Sequence, residues 1–284
     1  MKNMLACILA GLVALLIIYT PAGARAAGTI DILVCYPGGS VRARDAEPAL
    51  KNMVAVIESI GGWPAGTIKV SFTTKVAACR KLLDEKKPEF AIVSLGLFLE
   101  NRVKHHLVPL ARPKISGRDT DKYRILVRKG SYANIEALKG KTLGGQWLTE
   151  PEFLRRIVFK GKLDPARYFK LSPSRRALRA LRELSRGKLD AVIVNELQYG
   201  GLSALPFGKG LAVAFASDEM PQMGVVADEK KADAADRARM RKALDAMCKN
   251  AEGKKLCTLF GIDAFVPSSG KTYQAVIDLY QGGK

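Results

Sequence analysis

The chain has 284 residues, 48% of them hydrophobic, with 46 Lys and Arg against 27 Asp and Glu, a formal net charge of +19. That apolar content can bury one large core or two smaller ones, and no low-complexity linker interrupts it. The surplus of positive charge suits an anionic ligand or envelope surface. Nucleic acid is set aside, because the chain starts with an export signal and carries no aromatic-basic recognition motif.

The opening "MKNMLACILAGLVALLIIYTPAGARAAG" reads as a secretory signal peptide over residues 1–26. Lys2 is the charged start, Met4 to Tyr19 the apolar stretch, and Ala24-Arg25-Ala26 the cleavage site. Removing it takes Lys2 and Arg25 away and leaves a net +17. Periplasmic export permits disulfides among Cys35, Cys79, Cys248 and Cys257. "CKNAEGKKLC" places Cys248 and Cys257 around a helix end and a Gly turn, which suits a local bridge. Cys35 and Cys79 form either a second pair or separate buried thiols. There is no C-x-x-C, and the only histidines, His105 and His106, are adjacent, so no metal and no cofactor is expected. Both histidines are read at a solvated element end.

"TIDILVCY" is a strand, broken by "YPGGS". Leu50, Met53, Val54, Ile57 and Ile60 recur at helical spacing until "GGWPAG". "TIKVSFTT" is a second strand, Val76 to Leu83 a helix, and "FAIVSLG" a third strand, apolar throughout and so buried on both faces. This alternation predicts a parallel, helix-covered sheet. "YRILVRKGS" is the next strand, "NIEALKGK" a short helix and "TLGGQ" a strand. "TEPEFLRRIVFKGK" is a helix with Thr149 as its N-cap and acids in its first turn. "YFKLS" is a strand, and Ser174 caps a helix whose Leu178, Leu181 and Leu184 form the buried stripe. "LDAVIVNE", "LAVAFAS" and "QMGVVAD" are further strands. Asp233 starts a helix, and another spans roughly Tyr273 to Tyr280. Two α/β runs with a late return predict two lobes.

Gly140-Lys141-Thr142 invites comparison with a phosphate-binding P-loop, G-x-x-x-x-G-K-[ST]. The first Gly is missing, since position 135 is Ile135, and Gly140 follows a helix instead of a strand. Gly270-Lys271-Thr272 fails likewise at Phe265. Nucleotide hydrolysis is excluded on that ground, and "LKGK" is a helix C-terminus capped by Gly. No Ser-His-Asp or Cys-His set appears either, so no enzyme is expected.

"YRILVRKGSYANIEALKGKTLGG" resembles the lobe-crossing segment of type II periplasmic substrate-binding proteins. "SRRALRALRELSRGKLDAVIVNE" is similar to a helix and strand of the same family. "GIDAFVPSSGKTYQAVIDL" is similar to the C-terminal end of its phosphate/phosphite/phosphonate branch. The resemblance implies an α/β fold of two lobes, each a mainly parallel sheet flanked by helices, with a ligand cleft between them. Lobe one would hold residues 27–130 and 219–284, and lobe two residues 131–218. It implies a monomeric solute-binding component of an ABC importer, with a small anionic ligand and an inner-membrane permease as partners. A ligand sensor for a membrane receptor is the first alternative, and an enzyme on the same fold the second. One departure is visible. The phosphonate binders have a Ser/Thr/Gly-rich loop where this chain reads "GGQWLTEPEF". Only Thr149 supplies a hydroxyl there, and Glu150 and Glu152 are poor company for a dianion.

Ligands of open parallel sheets bind beyond the carboxyl ends of strands. Those ends give Tyr36, Ser40, Thr73, Thr74 and Ser94 in the first lobe, and Trp147, Thr149, Ser174, Asn195 and Glu196 in the second. Capping or turn chemistry is the plain alternative for each one singly. Glu196, if it faces the cleft, points to a ligand with an amine or a shared proton.

Overall fold

The computed structural model describes residues 28–37, 43–174 and 176–282. Residues 1–26, read as a signal peptide from the sequence, and Ser40 lie outside them. In chain order the elements are β1 (Ile30–Cys35), α1 (Ala43–Gly61), β2 (Ile68–Thr73), α2 (Val76–Lys86), β3 (Phe90–Ile92), α3 (Leu95–Asn101), β4 (Leu107–Lys114), β5 (Thr120–Asp121) and β6 (Arg124–Arg128). Then come β7 (Thr142–Gly145), α4 (Pro151–Phe153), α5 (Pro165–Tyr168), β8 (Lys170–Pro173), α6 (Ala177–Ser185), β9 (Ala191–Val194), α7 (Glu196–Gly200) and β10 (Leu211–Ala216). The chain closes with β11 (Met220–Pro221), β12 (Val225–Asp228), α8 (Ala234–Met247), α9 (Ala251–Phe260), β13 (Ala264–Pro267) and α10 (Gly270–Tyr280).

Two larger sheets divide these strands. The first runs β2-β1-β3-β12-β4-β13, and the second β8-β7-β9-β6-β10. In the first, β1 is parallel to both β2 and β3, and β12 returns antiparallel between β3 and β4. The second repeats the scheme. There β7 is parallel to β8 and β9, and β6 lies antiparallel between β9 and β10. A two-stranded antiparallel ladder, β5 with β11, joins the chain's two crossings. The strand Arg124–Arg128 therefore belongs to the second lobe, and the boundary read at residue 130 is too late. Its Ile125, Leu126 and Val127 are buried inside the second lobe. The sequence shows a break only afterwards, at Gly130.

One apolar cluster runs through both lobes, from Leu33, Leu97 and Phe98 to Tyr123, Leu143, Phe153 and Ile193, and takes in Tyr273 of α10. Two others cover the outer faces. One lies between the first sheet and α1, α8 and α9, and the other between the second sheet and α6. Both disulfides form, Cys35–Cys79 with Cα atoms 5.8 Å apart and Cys248–Cys257 at 5.7 Å.

Local details correct the sequence reading. Thr149 is not a helix N-cap. Its hydroxyl donates to Gln146 O at 3.0 Å, and the helix starts at Pro151, whose ring sets the first helical position. From Leu154 to Val158 the helix widens into a π turn. Gly253 is no turn residue but sits in the first turn of α9, where a Cβ would lie 2.1 Å from Met247 O. His105 is buried, with Nε2 2.9 Å from Asp84 Oδ1. Ser174 does not cap α6, whose N-cap is Arg176.

Candidate functional site

The carboxyl end of β3 meets the loop that follows β7 across the interlobe boundary, through Ser94 and Glu150. β1 is an apolar run buried nearly throughout, and it delivers Tyr36 to the edge, where Tyr36 is 55% exposed. The Tyr36 N–H donates to Thr73 O at 2.9 Å, extending the β1–β2 ladder by one step. Thr73 Oγ1 accepts from Lys75 N–H at 3.2 Å, which shapes the entry to α2. Thr74 is half-buried beside it. The Cys35–Cys79 bridge ties the end of β1 to α2, so this edge is held covalently.

Beyond β3, Ser94 caps α3. Its Oγ accepts from Leu97 N–H at 3.2 Å and donates to Glu150 Oε2 at 2.7 Å. That second bond crosses from one lobe to the other. The loop that offers Glu150 leaves β7 through Gly145, at φ +139°, where a Cβ would sit 2.8 Å from Ile193 O and only glycine fits. A single 3₁₀ turn, Trp147–Thr149, then places Trp147 edge-on to Tyr123, with ring centres 5.1 Å apart. Tyr123 also meets Phe153 edge-on at 5.3 Å. Burial, and then the charges of Asp121 and Glu150, push the Tyr123 phenol well above its ordinary value, so it stays neutral.

Glu150 is 3% exposed. Burial pushes its pKa up to about 7, against the Ser94 hydroxyl bond and the positive charge of Arg80. Its Oε1 and the Trp147 Nε1 are buried and have no hydrogen-bond partner among the described residues.

Asn195 and Glu196 lie at the end of β9, held to the crossing strand. Asp121 of β5 accepts from Glu196 N–H at 2.9 Å, from Asn195 Nδ2 at 3.2 Å and from Lys122 N–H at 2.8 Å. Burial raises the Asp121 pKa, opposed by these same bonds. Asn195 also caps α7 in a reciprocal box with Gln198. Glu196 pairs with Arg124 Nη1 at 2.8 Å, and that guanidinium lies 4.0 Å over the Tyr199 ring. Ser174 donates its N–H to Gly145 O at 3.0 Å, and its hydroxyl bonds the backbone of Arg176.

Ser94 and Trp147 are thus brought together around Glu150, and Asn195 and Glu196 around Asp121. Thr149 faces solvent on its own turn, and Tyr36 is held apart at the rim. Sequence reasoning did not pick out Asp121, Tyr123, Arg124 or Glu150 as site residues. Asp121 and Tyr123 flank the crossing in a polar stretch, and Glu150 reads as an ordinary acid at a helix start. Its place three residues after Trp147, on a strand-to-helix turn, was the available signal. No group of three or more His, Cys, Asp or Glu suited to a metal occurs among the described residues. Two small pockets, about 10 and 20 Å³, lie in the first lobe beside Phe265 and hold at most a water.

A family model described as the periplasmic substrate-binding protein of a phosphonate ABC transporter matches residues 43–273. No curated protein matches the sequence. Many solved structures share the fold, among them the following three. A binding protein component of an ABC phosphonate transporter from Pseudomonas aeruginosa is 17% identical, with a TM-score of 0.69, covering 89% of this chain and 85% of its own. XAC2383 from Xanthomonas citri, solved with ATP, is 13% identical, with a TM-score of 0.68, covering 90% and 97%. PhnD1 from Prochlorococcus marinus, solved with methylphosphonate, is 14% identical, with a TM-score of 0.66, covering 90% and 98%.

Proposed function

The chain belongs to the family of periplasmic phosphonate-binding proteins of ABC transporters, and from that premise we propose that it captures a small oxyanion between its lobes as a monomer. Membership supports reading it as a solute-binding protein that works in the periplasm with a membrane permease and has no enzymatic activity of its own. Export would fall to residues 1–26. The observation that carries the ligand reading is Ser94. It is a hydroxyl at a strand's carboxyl end, bonded to a carboxyl oxygen that comes from the opposite lobe. A ligand oxyanion asks for the same donor. The surplus of Lys and Arg draws anions toward the molecule. Glu196 does not oppose this, because Arg124 neutralises it. Glu150 and Asp121 do oppose a full dianion, so a singly charged phosphonate or phosphate species fits best.

Thermal melting with methylphosphonate, phosphate, sulfate, methanesulfonate and acetate tests this reading. A ligand at one hundred times its Kd stabilises by about 2.7 kcal/mol, roughly 5–10 °C in Tm for a chain of this size. Ser94→Ala should weaken the best ligand about 10- to 150-fold, the cost of a lost hydrogen bond to charge. If no oxyanion moves Tm, the reading is wrong.

A further inference from the structure

Glu150 stands where a ligand should stand. It comes from the second lobe, it is buried, and its Oε2 accepts the hydroxyl of Ser94 in the first lobe. Room for it exists because position 96 is glycine, where a Cβ would lie 2.1 Å from that same oxygen. The fit is incomplete, since Glu150 Oε1 and Trp147 Nε1 are both buried without partners. A buried acceptor and a buried donor left unpaired are each costly. We propose that Glu150 is the cleft's own occupant, a carboxyl group that latches the lobes through Ser94 until an oxyanion displaces it. This rests on the cleft being the ligand site. The entering anion would take the Ser94 hydroxyl and offer an oxygen to Trp147 N–H, while Glu150 moves into water and regains hydration.

The latch takes up a proton when it closes. The groups facing Glu150 are Ser94, the Leu97 N–H, Arg80 of α2, Glu100 of α3 and the neutral Tyr123 phenol. Arg80 and Glu100 hold each other in a two-bond pair at 2.7 and 2.8 Å, so their fields largely offset. Burial is left as the dominant influence, and the carboxyl titrates at about 7 when closed against 4.5 in water. Its contribution to closure is therefore complete below about pH 4.5 and lost as pH rises to about 7, roughly a 300-fold change in the closing equilibrium.

Solution scattering from the ligand-free full mature protein, followed from about pH 5 to about pH 9, reads this directly. Wild type should expand as pH rises, with the change ending near pH 7. Glu150→Gln keeps a neutral acceptor for Ser94 and should stay compact throughout. Ser94→Ala removes the donor and should be expanded at a lower pH than wild type. At alkaline pH, Glu150→Gln should also bind methylphosphonate at least ~10-fold more weakly than wild type, because its latch no longer loosens with pH. A pH-independent wild type, or the same pH profile in Glu150→Gln, would overturn the latch. If methylphosphonate and phosphate bind no variant but the scattering profiles separate as described, the latch stands and the ligand reading falls.

Discussion

Gly96→Ala sets two effects of opposite sign against each other. Gly96 lies in the first turn of α3, with no positive φ to demand glycine. On helix propensity alone, alanine should stabilise by about 0.8–1 kcal/mol. The added Cβ, however, would stand 2.1 Å from Glu150 Oε2 and 2.8 Å from Phe153 Cβ. A side-chain oxygen can swing away, but Glu150 is buried and its departure loses the Ser94 bond, worth about 0.5–1.5 kcal/mol for a neutral carboxyl. Phe153 Cβ is fixed to α4 and yields only if the second lobe moves. Overpacking of this kind costs about 1–3 kcal/mol. The clash should win, by roughly 1–3 kcal/mol net, or the lobes should part to avoid it. Urea unfolding gives the first quantity and the radius of gyration the second. Gly200→Ala is the control, since nothing lies within 4 Å of a Cβ there and its backbone is already helical. It should be neutral or stabilising by up to about 1 kcal/mol. A Gly96→Ala protein that is as compact as wild type and more stable would show that the lobes do not meet at this point.

The two disulfides should differ in worth. Replacing Cys35 and Cys79 by Ser opens a loop of 44 residues and should cost about 4 kcal/mol, while the Cys248–Cys257 pair, 9 apart, should cost about 2.7. Equal losses in urea unfolding would contradict a loop-entropy origin. Arg155 and Arg156 hold the Glu152 carboxyl down at about 2, so its contribution is present above pH 4.5 and lost as pH falls toward 2. With 51% of its side chain exposed, solvent screens the pairs to roughly 1 kcal/mol in all, and Glu152→Gln should remove that at pH 6 but not at pH 2. Gly253→Ala brings a Cβ against backbone Met247 O, which cannot rotate away, and should lower stability by about 2 kcal/mol despite the better helix former, as thermal melting will show.

Much of the fold was legible because its strands are buried on both faces. Ala191–Val194 is a short unbroken apolar run and Ile30–Cys35 is broken only by Asp31, and a strand covered on both faces tolerates such a run. Leu107–Lys114 was illegible for the opposite reason. Pro109 and Pro113 argue against a strand, yet β4 pairs on both sides. The ladder accommodates Pro109 beside a bulge at Val225/Val226, and Pro113 lies opposite Phe265 of the edge strand β13. The lobe boundary was misplaced because Arg124–Arg128 has the same pattern whichever sheet receives it.

The site divides along the same line. Strand ends can be read from sequence, so Ser94, Trp147 and Asn195 were named. What those ends touch depends on how two lobes meet, and no local pattern encodes that. Ser94 and Glu150 are 56 positions apart. The crossing ladder explains why they can meet at all. Asp121 binds β5 to the second lobe through Glu196 N–H and Asn195, and Tyr123 packs there on Trp147 and Phe153. On the other side, Arg112 of β4 grips Asp119 and Ser268, and Tyr273 of α10 donates to Gln222 O at 2.6 Å. Residues 119 and 222 are thus fastened to the first lobe, and residues 121 and 123 to the second. Between those fastenings Thr120 on one crossing pairs with Pro221 on the other in the β5–β11 ladder. The Ser94 to Glu150 bond is thus one polar contact within a boundary that also carries the apolar cluster common to both lobes.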